Sequence, residues 1–494
     1  MRVKFLNQLQ CSYLYKKSYF TRWLSCINAV DHANTMAWVH FKLGMYATVN
    51  RLTIIEPYHY HDLLAHAASS AACGKTDQLD QIIGYFESKF SDKISNLIEV
   101  IAPFNSSVAL RLAEKYHVHS LHSLAIRLHE KDANIQPIHL QKFIDEKRKN
   151  FSNFTLLQAQ LYFYLQQPQQ VIRQVNQLFT HYHLNTIDYL DPTQPLNVNN
   201  IKTTVTKPDL IKHQTQLVSL LITTYNCADY IASTLQSLLN QSYANLEIII
   251  VDDCSEDDTW HILQQFKQKD ARIKIYQQPI NLGTYIAKNR ALVLASGEFC
   301  MCHDSDDWSH PKRIEKQLYP LLKDAKLIAT TSEWFRISDQ GEIYSRNIFP
   351  ISRLNPSSPL FRREAIMKEL GFWDNVRTGA DSEFLARMRL IFGKKAIKKI
   401  AIPLAIGSHR SDSLMNAADT GFINQTIPSS RLEYWESWNS WHISALKNKT
   451  SLYLPLNSYL SQRQFSAPKN IVIDDHLLRE YHNQIISKNE LETI

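Results

Sequence analysis

Nine residues, CMCHDSDDW (300–308), put Asp304, Asp306 and Asp307 within four positions. Carboxylates that close repel one another, and burying them uncompensated is costly. Hard divalent cations take oxygen ligands and offset such a cluster. Two more acidic stretches accompany it, VDDCSEDDT (251–259) and GADSEF (379–384).

The surrounding sequence indicates what positions these groups. From 217 onward, apolar β-branched runs alternate with helical ones. LVSLLITT (217–224), LEIIIV (246–251), RIKIYQ (272–277) and EFCMCHD (298–304) predict strands. ADYIASTLQSLLNQ (228–241), DDTWHILQQFKQ (257–268) and TYIAKNRALVLA (284–295) predict helices, the second with an acidic start that the helix dipole favours. This alternation implies a mostly parallel sheet covered on both faces, with ligands at the carboxyl ends of its strands. TTYN (223–226), VDDCSEDDT and HDSDDW follow the first, second and fourth strands, so these loops should converge on one crevice. The first turn, TTYNCADY, has no glycine, and no G-x-x-x-x-G-K-[ST] run occurs. Both common phosphate loops are therefore missing. A diphosphate would instead be neutralised by Mg2+ or Mn2+ held among Asp304, Asp306 and Asp307.

The first half reads differently. Only Gly44, Gly74 and Gly84 fall in its 200 residues, and 85–200 holds none. In SVALRLAEKYHVHSLHSLAIRLHE (107–130), apolar residues recur at three- and four-residue steps. FSNFTLLQAQLYFYLQQPQQVIRQVNQLF (151–179) predicts two helices around a proline-marked turn, with Ser152 or Asn153 capping the first. Helix pairs without a fixed period predict an all-α helical array, solenoid-like in style, over 1–187. Residues 188–216 carry three prolines and many polar side chains, which predicts a linker. An α/β domain over 217–445 and an extension over 446–494 complete the division.

Composition narrows the class. The 494 residues have room for two or three domains, and no run of about 18 uncharged apolar residues occurs. The amino-terminal stretch lacks the apolar core of a secretory signal. Seven scattered cysteines suit a reducing cytosol better than a disulfide framework. Cys300 and Cys302 would share one strand face, and core packing is their expected role. The net charge of +7 is mild and no arginine-rich tract occurs, so nucleic acid is not an expected partner. The run GKKAIKKI (393–400) reads either as a solvated edge or as contact with an anionic membrane surface. Trp435, Trp438 and Trp441 recur every three residues, the spacing of a helical core stripe.

Four ordered segments carry a family likeness: LVSLLITTYNCADYIASTLQSLLNQSY, LEIIIVDDCSEDDT, NLGTYIAKNRALVLASGEF and HDSDDWSHPKRIEKQ. Together they resemble the nucleotide-binding half of family 2 glycosyltransferases of the GT-A fold. The likeness continues through PSSPLFRREAIMKELGFWDNVRTGADSEFLARMRL (356–390) and covers roughly 217–415. It implies an α/β GT-A fold, Rossmann-like with a mostly parallel central sheet, behind the all-α region.

Residue roles follow from the resemblance. Thr223, Tyr225 and Asn226 would line the base and ribose, and Asp253 would bond the uracil ring. Lys288 stands where the family usually has arginine, with Arg290 as a nearby substitute. Asp304 and Asp306 form the D-x-D pair around Ser305, all at the nucleotide sugar. Asp306 is the expected direct metal ligand, and Asp304 faces the ribose or a metal-bound water. Asp381 is the expected catalytic base, Glu383 its alternative, and Ala380 replaces a family glutamate. His409, in SHRSDSLM (408–415), would be a further metal or diphosphate ligand.

The implied activity is inverting, Mn2+- or Mg2+-dependent hexosyl transfer from a UDP-sugar to a glycan or lipid-linked acceptor. Capsule, exopolysaccharide or lipopolysaccharide synthesis is the implied setting, in the cytoplasm and peripheral at the cytoplasmic face of the inner membrane. A reading of another class makes the helical half a scaffold carrying a degenerate transferase domain. Ala380 and Lys288 leave room for it, and the intact DSDD speaks against it.

Overall fold

A computed structural model describes residues 12–27, 33–54, 59–131, 149–204, 215–410, 419–422, 425–456 and 463–486, with positions 140, 143, 207, 209–211, 213 and 413 between them. Its first part is helical: α1 (Phe20–Cys26), α2 (Ala33–Lys42), α3 (Tyr46–Arg51), α4 (Tyr60–Ala72), α5 (Thr76–Phe90), α6 (Ile94–Ile101), α7 (Ser106–Lys115), α8 (Leu121–His129), α9 (Phe151–Tyr164) and α10 (Pro168–His181). The periodic run at 107–130 breaks between α7 and α8, where His117 takes a φ of 49°. Ser120 then opens α8 with a reciprocal cap, its hydroxyl accepting from the Ser123 N–H and its own N–H donating to the Ser123 hydroxyl. Asn150, not Ser152 or Asn153, stands at the cap of α9, and both of those residues lie inside the helix. Pro168 starts α10, where a missing N–H costs nothing.

The stretch predicted as a linker carries packed structure. Strands β1 (Ile187–Tyr189) and β2 (Ile201–Thr203) pair antiparallel. Ile187, Tyr189, Leu196, Val198 and Ile201 are buried in the cluster that also holds the helical apolar residues. Six side chains of the following sheet, Trp308, Phe335, Ile337, Ile343, Leu404 and Ile406, belong to the same cluster.

That sheet has ten strands: β3 (Val218–Thr224), β4 (Leu246–Asp252), β5 (Ile273–Gln277), β6 (Phe299–Asp304), β7 (Trp308–Ser309), β8 (Ala329–Ser338), β9 (Ile343–Tyr344), β10 (Arg353–Leu354), β11 (Leu360–Arg362) and β12 (Ile397–His409). Its order is β5-β4-β3-β6-β11-β8-β12-β7, with β9 and β10 also paired to β8. The first four strands are mutually parallel, as the alternation predicts. Helices α11 (Ala228–Leu239) and α14 (Arg313–Lys323) cover one face through Ile231, Leu235, Ile314 and Leu318. Helix α13 (Thr284–Leu294) covers the other through Ala287, Ala291 and Leu292, and α12 (Thr259–Lys269) flanks α11. Cys300 and Cys302 are buried in this second layer, and the six described cysteines are free thiols.

Helices α15 (Ala380–Phe392) and α16 (Ser429–Asn448) extend the second layer. Trp438 and Trp441 are buried there, as the stripe predicts, and the Trp435 indole donates to the Leu43 carbonyl at 2.7 Å. Helix α17 (Asp475–Ile486) closes the described chain, with Leu478 and Tyr481 against Leu282 and Ile286. Among the described residues, no helix is long and apolar enough to cross a membrane. In GKKAIKKI, Lys394, Lys395, Lys398 and Lys399 are exposed or at the edge, and Lys399 pairs with Glu333 at 2.6 Å.

Candidate active site at the strand ends

Parallel register brings the acidic loops together. Thr223 lies beside Asp304 across β3 and β6, and Thr224 beside Asp252 across β3 and β4. The Thr223 hydroxyl sits 2.7 Å from that of Thr284 at the start of α13. Tyr225 projects at the mouth, 43% exposed. Asn226 adopts a φ of 44°, a conformation its short polar side chain tolerates. Its side-chain amide oxygen accepts from the Glu256 N–H at 2.9 Å and ties the first loop to the second. The Ser305 carbonyl accepts from Thr234, at 2.9 Å, and so anchors the DSDD loop to α11.

Asp253 differs from its expected placement. It is buried, and its carboxylate accepts from the N–H groups of Leu282 at 2.9 Å and Gly283 at 2.6 Å and from the Gln278 amide. Burial pushes the carboxyl up to about 6 against those donors. Its observed work is to fix the 278–283 loop, which leads into α13.

The three aspartates have protein partners. Asp304 accepts from the Ser357 hydroxyl at 2.8 Å and lies 3.6 Å from the Lys288 ammonium. Burial raises its carboxyl, but Lys288 and Ser357 outweigh that and hold it below the usual range. Asp306 accepts from the Ser408 hydroxyl and pairs with Arg410, both at 3.0 Å. Burial still leaves it raised, with Arg410 opposing and Asp304 adding to the rise. Asp307 accepts from the Ser408 N–H at 3.1 Å, and burial and the other two aspartates push it well up.

An oxygen-only pair, 35% and 17% exposed at Asp304 and Asp306, suits a hard cation, and two raised carboxyls favour added positive charge. Mg2+ and Mn2+ keep water and phosphate ligands, so two protein carboxylates are enough. His409 does not join them. Successive strand side chains alternate faces, and Ser408 and Arg410 take the face toward Asp306. His409 takes the other and stacks on Tyr344, with ring centroids 3.6 Å apart. Burial pushes its imidazole down to about 4. Among the described residues, no group of three His, Cys, Asp or Glu side chains could hold a metal ion.

Asp381 stands in the first turn of α15, after Gly379 at a φ of 92°. Both of its oxygens contact the Lys288 ammonium, at 3.0 and 3.1 Å. The Trp373 indole donates to it at 3.1 Å and the Tyr285 hydroxyl at 3.3 Å. Burial raises its carboxyl despite Lys288. Lys288 itself is 1% exposed, and Asp381 and Asp304 hold its ammonium well above the ordinary value against burial. One cation thus links the base candidate to the D-x-D pair.

Two expected residues lie elsewhere. Glu383 has no exposed surface, and both oxygens bond the Arg387 guanidinium at 2.7 and 3.0 Å, with His442 at 3.0 Å. It is a packing group and not a base. Arg290 donates to the Gln277 carbonyl at 3.0 Å and lies over Tyr276, so it is no substitute for Lys288. Sequence reasoning missed Trp373, Tyr285, Ser357, Ser408 and Arg410. Their only signal was position inside the family-like segments: Ser357 is the second residue of PSSPLF, and Ser408 and Arg410 flank His409.

Residues 219–380 match the model of Glycosyl transferase family 2. A relative from Escherichia coli, the UDP-Glc:alpha-D-GlcNAc-diphosphoundecaprenol beta-1,3-glucosyltransferase WfaP, is 39% identical over 120 residues, 24% of this chain and 47% of that protein. The chondroitin synthase of Escherichia coli is 31% identical over 193 residues, 37% of this chain and 28% of that protein. The chain therefore spans less than half the length of these relatives. Among solved structures, S. aureus TarS 1-349 in complex with UDP-GlcNAc is 18% identical, with a TM-score of 0.38, covering 55% of this chain and 73% of that one.

Proposed function

We propose, from the premise that residues 219–380 are a family 2 glycosyltransferase domain, that the chain moves a hexosyl group from a UDP-sugar to a hydroxyl of a glycan or lipid-linked acceptor. Bacterial surface-polysaccharide synthesis is the proposed setting, in the cytoplasm and peripheral at the inner membrane. The observation that carries this reading is the Lys288 bridge, 3.0 Å from Asp381 and 3.6 Å from Asp304.

Asp381 takes the proton of the acceptor hydroxyl as that oxygen attacks the anomeric carbon. Its raised carboxyl makes it a stronger base than an ordinary aspartate, and Trp373 and Tyr285 fix its orientation. A single displacement of this kind inverts the anomeric centre. Asp304 and Asp306 would hold Mn2+ or Mg2+, which supplies charge for the leaving diphosphate. Thr223, Tyr225 and Asn226 form the wall proposed for the nucleoside.

Calorimetry with UDP, with and without Mn2+, tests the reading on wild type and on Asp306→Ala. Metal-dependent binding lost in the variant supports it, and a screen of UDP-sugars for transfer follows. Folded protein that binds no UDP at millimolar nucleotide would sink it.

A further inference from the structure

One face of the sheet gathers arginines. On β8, Phe335 and Ile337 enter the apolar cluster shared with the helical region, so Trp334 and Arg336 point the opposite way. Arg353 pairs directly across from Trp334, and Tyr344 across from Arg336, which puts all four side chains on that face. The Arg336 guanidinium lies over the Trp334 ring at 5.3 Å. Arg346, two positions past Tyr344, lies over Phe422 at 4.1 Å, and Arg431 of α16 lies over the same ring at 5.1 Å.

These cations act on one another. Burial, Arg346 and Arg336 pull the Arg353 guanidinium down to about 10. Burial also lowers Arg346 and Arg431, and Arg346 adds to the fall at Arg431. Among the described residues, neither Arg346 nor Arg353 pairs with a carboxylate, and the Arg346 Nη1 is buried without a hydrogen-bond partner. Planar guanidiniums so arranged match a carboxylate or phosphate. The face adjoins the DSDD loop, because the Arg336 Nε donates to the Ser408 carbonyl at 3.0 Å and Ser408 bonds Asp306 and Asp307.

A groove of about 1230 Å3 lies between the helical region and α15. Tyr46, which acts electrostatically on Arg346, lines it together with Leu354 and Ser382. Farther along, Lys42 lies over Trp38 at 4.0 Å and Phe41 at 5.1 Å. Arg389 and Lys394 follow, and no Asp or Glu among the described residues lines the groove.

We propose that Arg346, Arg353 and this groove bind an acidic acceptor glycan, with a carboxylate or phosphate near its reacting end held by the two arginines. Aromatic faces take the apolar faces of sugar rings. Cations along the whole groove match charge repeated along a chain. A diphosphate on an apolar tail would match only one end. The word acceptor rests on the transferase reading, but the binding site does not.

The test is calorimetry on the full chain with an oligogalacturonate hexamer, with maltohexaose and with geranyl diphosphate, while UDP with Mn2+ reads the donor site separately. Wild type should bind the acidic hexamer at least tenfold more tightly than maltohexaose. Arg346→Gln and Arg353→Gln should each lose that preference, and Arg353→Lys should recover part of it. Circular dichroism confirms that each variant is folded. Equal binding of the two hexamers, or binding unchanged in both variants, overturns the proposal. So does geranyl diphosphate binding that the variants abolish while the acidic hexamer does not bind. Loss of UDP affinity in both variants would assign the arginines to the donor and overturns it as well. Acidic-hexamer binding without UDP binding leaves the proposal standing and removes the transferase reading.

Discussion

Two helices of this molecule each carry a pair of like residues two positions apart, with opposite fates. On α15, Asp381 faces the crevice and Lys288, while Glu383 faces inward to Arg387 and His442. On α13, Lys288 reaches Asp381 and Asp304, while Arg290 turns to Gln277 and Tyr276. Two residues turn a helix by roughly 200°, so neighbours of the same charge serve opposite sides. Chemistry within a short motif is therefore assigned by helical phase and not by residue type.

The strongest way to break this comparison is Asp381→Asn. The expected kcat loss is about 10²–10⁴-fold, the range for a positioned general base, with UDP binding retained. A variant with near-wild-type kcat would move the base elsewhere. Glu383→Gln should do the reverse. Removing one partner of a buried ion pair costs about 3–5 kcal/mol, so denaturant titration should show a large stability loss. Activity per folded molecule should persist.

Lys288→Met sharpens the pairing itself. A base must be deprotonated, so kcat/KM falls as pH drops through the Asp381 pKa. Lys288 holds that raised pKa down, and removing the cation should move the acid limb to higher pH. An unmoved limb would mean that Asp381 does not control it. The smallest effect belongs to Arg290→Gln, whose UDP affinity and kcat should stay within about twofold of wild type in the same assays, since a lost hydrogen bond at a distance acts weakly.

The α/β half was readable because each buried strand is an apolar β-branched run and each helix has its own stripe. Strand ends such as Thr224 and Asp304 fell where the runs stop. Asp304, Asp306, Lys288 and Asp381 were readable as a set, and the structure brings them together. Arg346, Arg353, Arg410 and Trp373 were not, since they come from separate segments that only the sheet registers and the packing of α15 bring near. Asp253 misled because a carboxylate after a strand serves a loop as readily as a ligand. The segment 188–216 misled because its prolines and polar residues hide Tyr189, Leu196, Val198 and Ile201, which are buried in the core.

That buried seam has a consequence for how the protein can come apart. The helical region and the sheet have no separate interiors along it: Phe335, Ile337, Ile343, Leu404 and Ile406 share one cluster with Leu157, Val175 and Leu178. A chain cut at residue 217 would bare a broad oily flank and associate through it. The intact chain should accordingly melt through that seam in one transition, helices and sheet together.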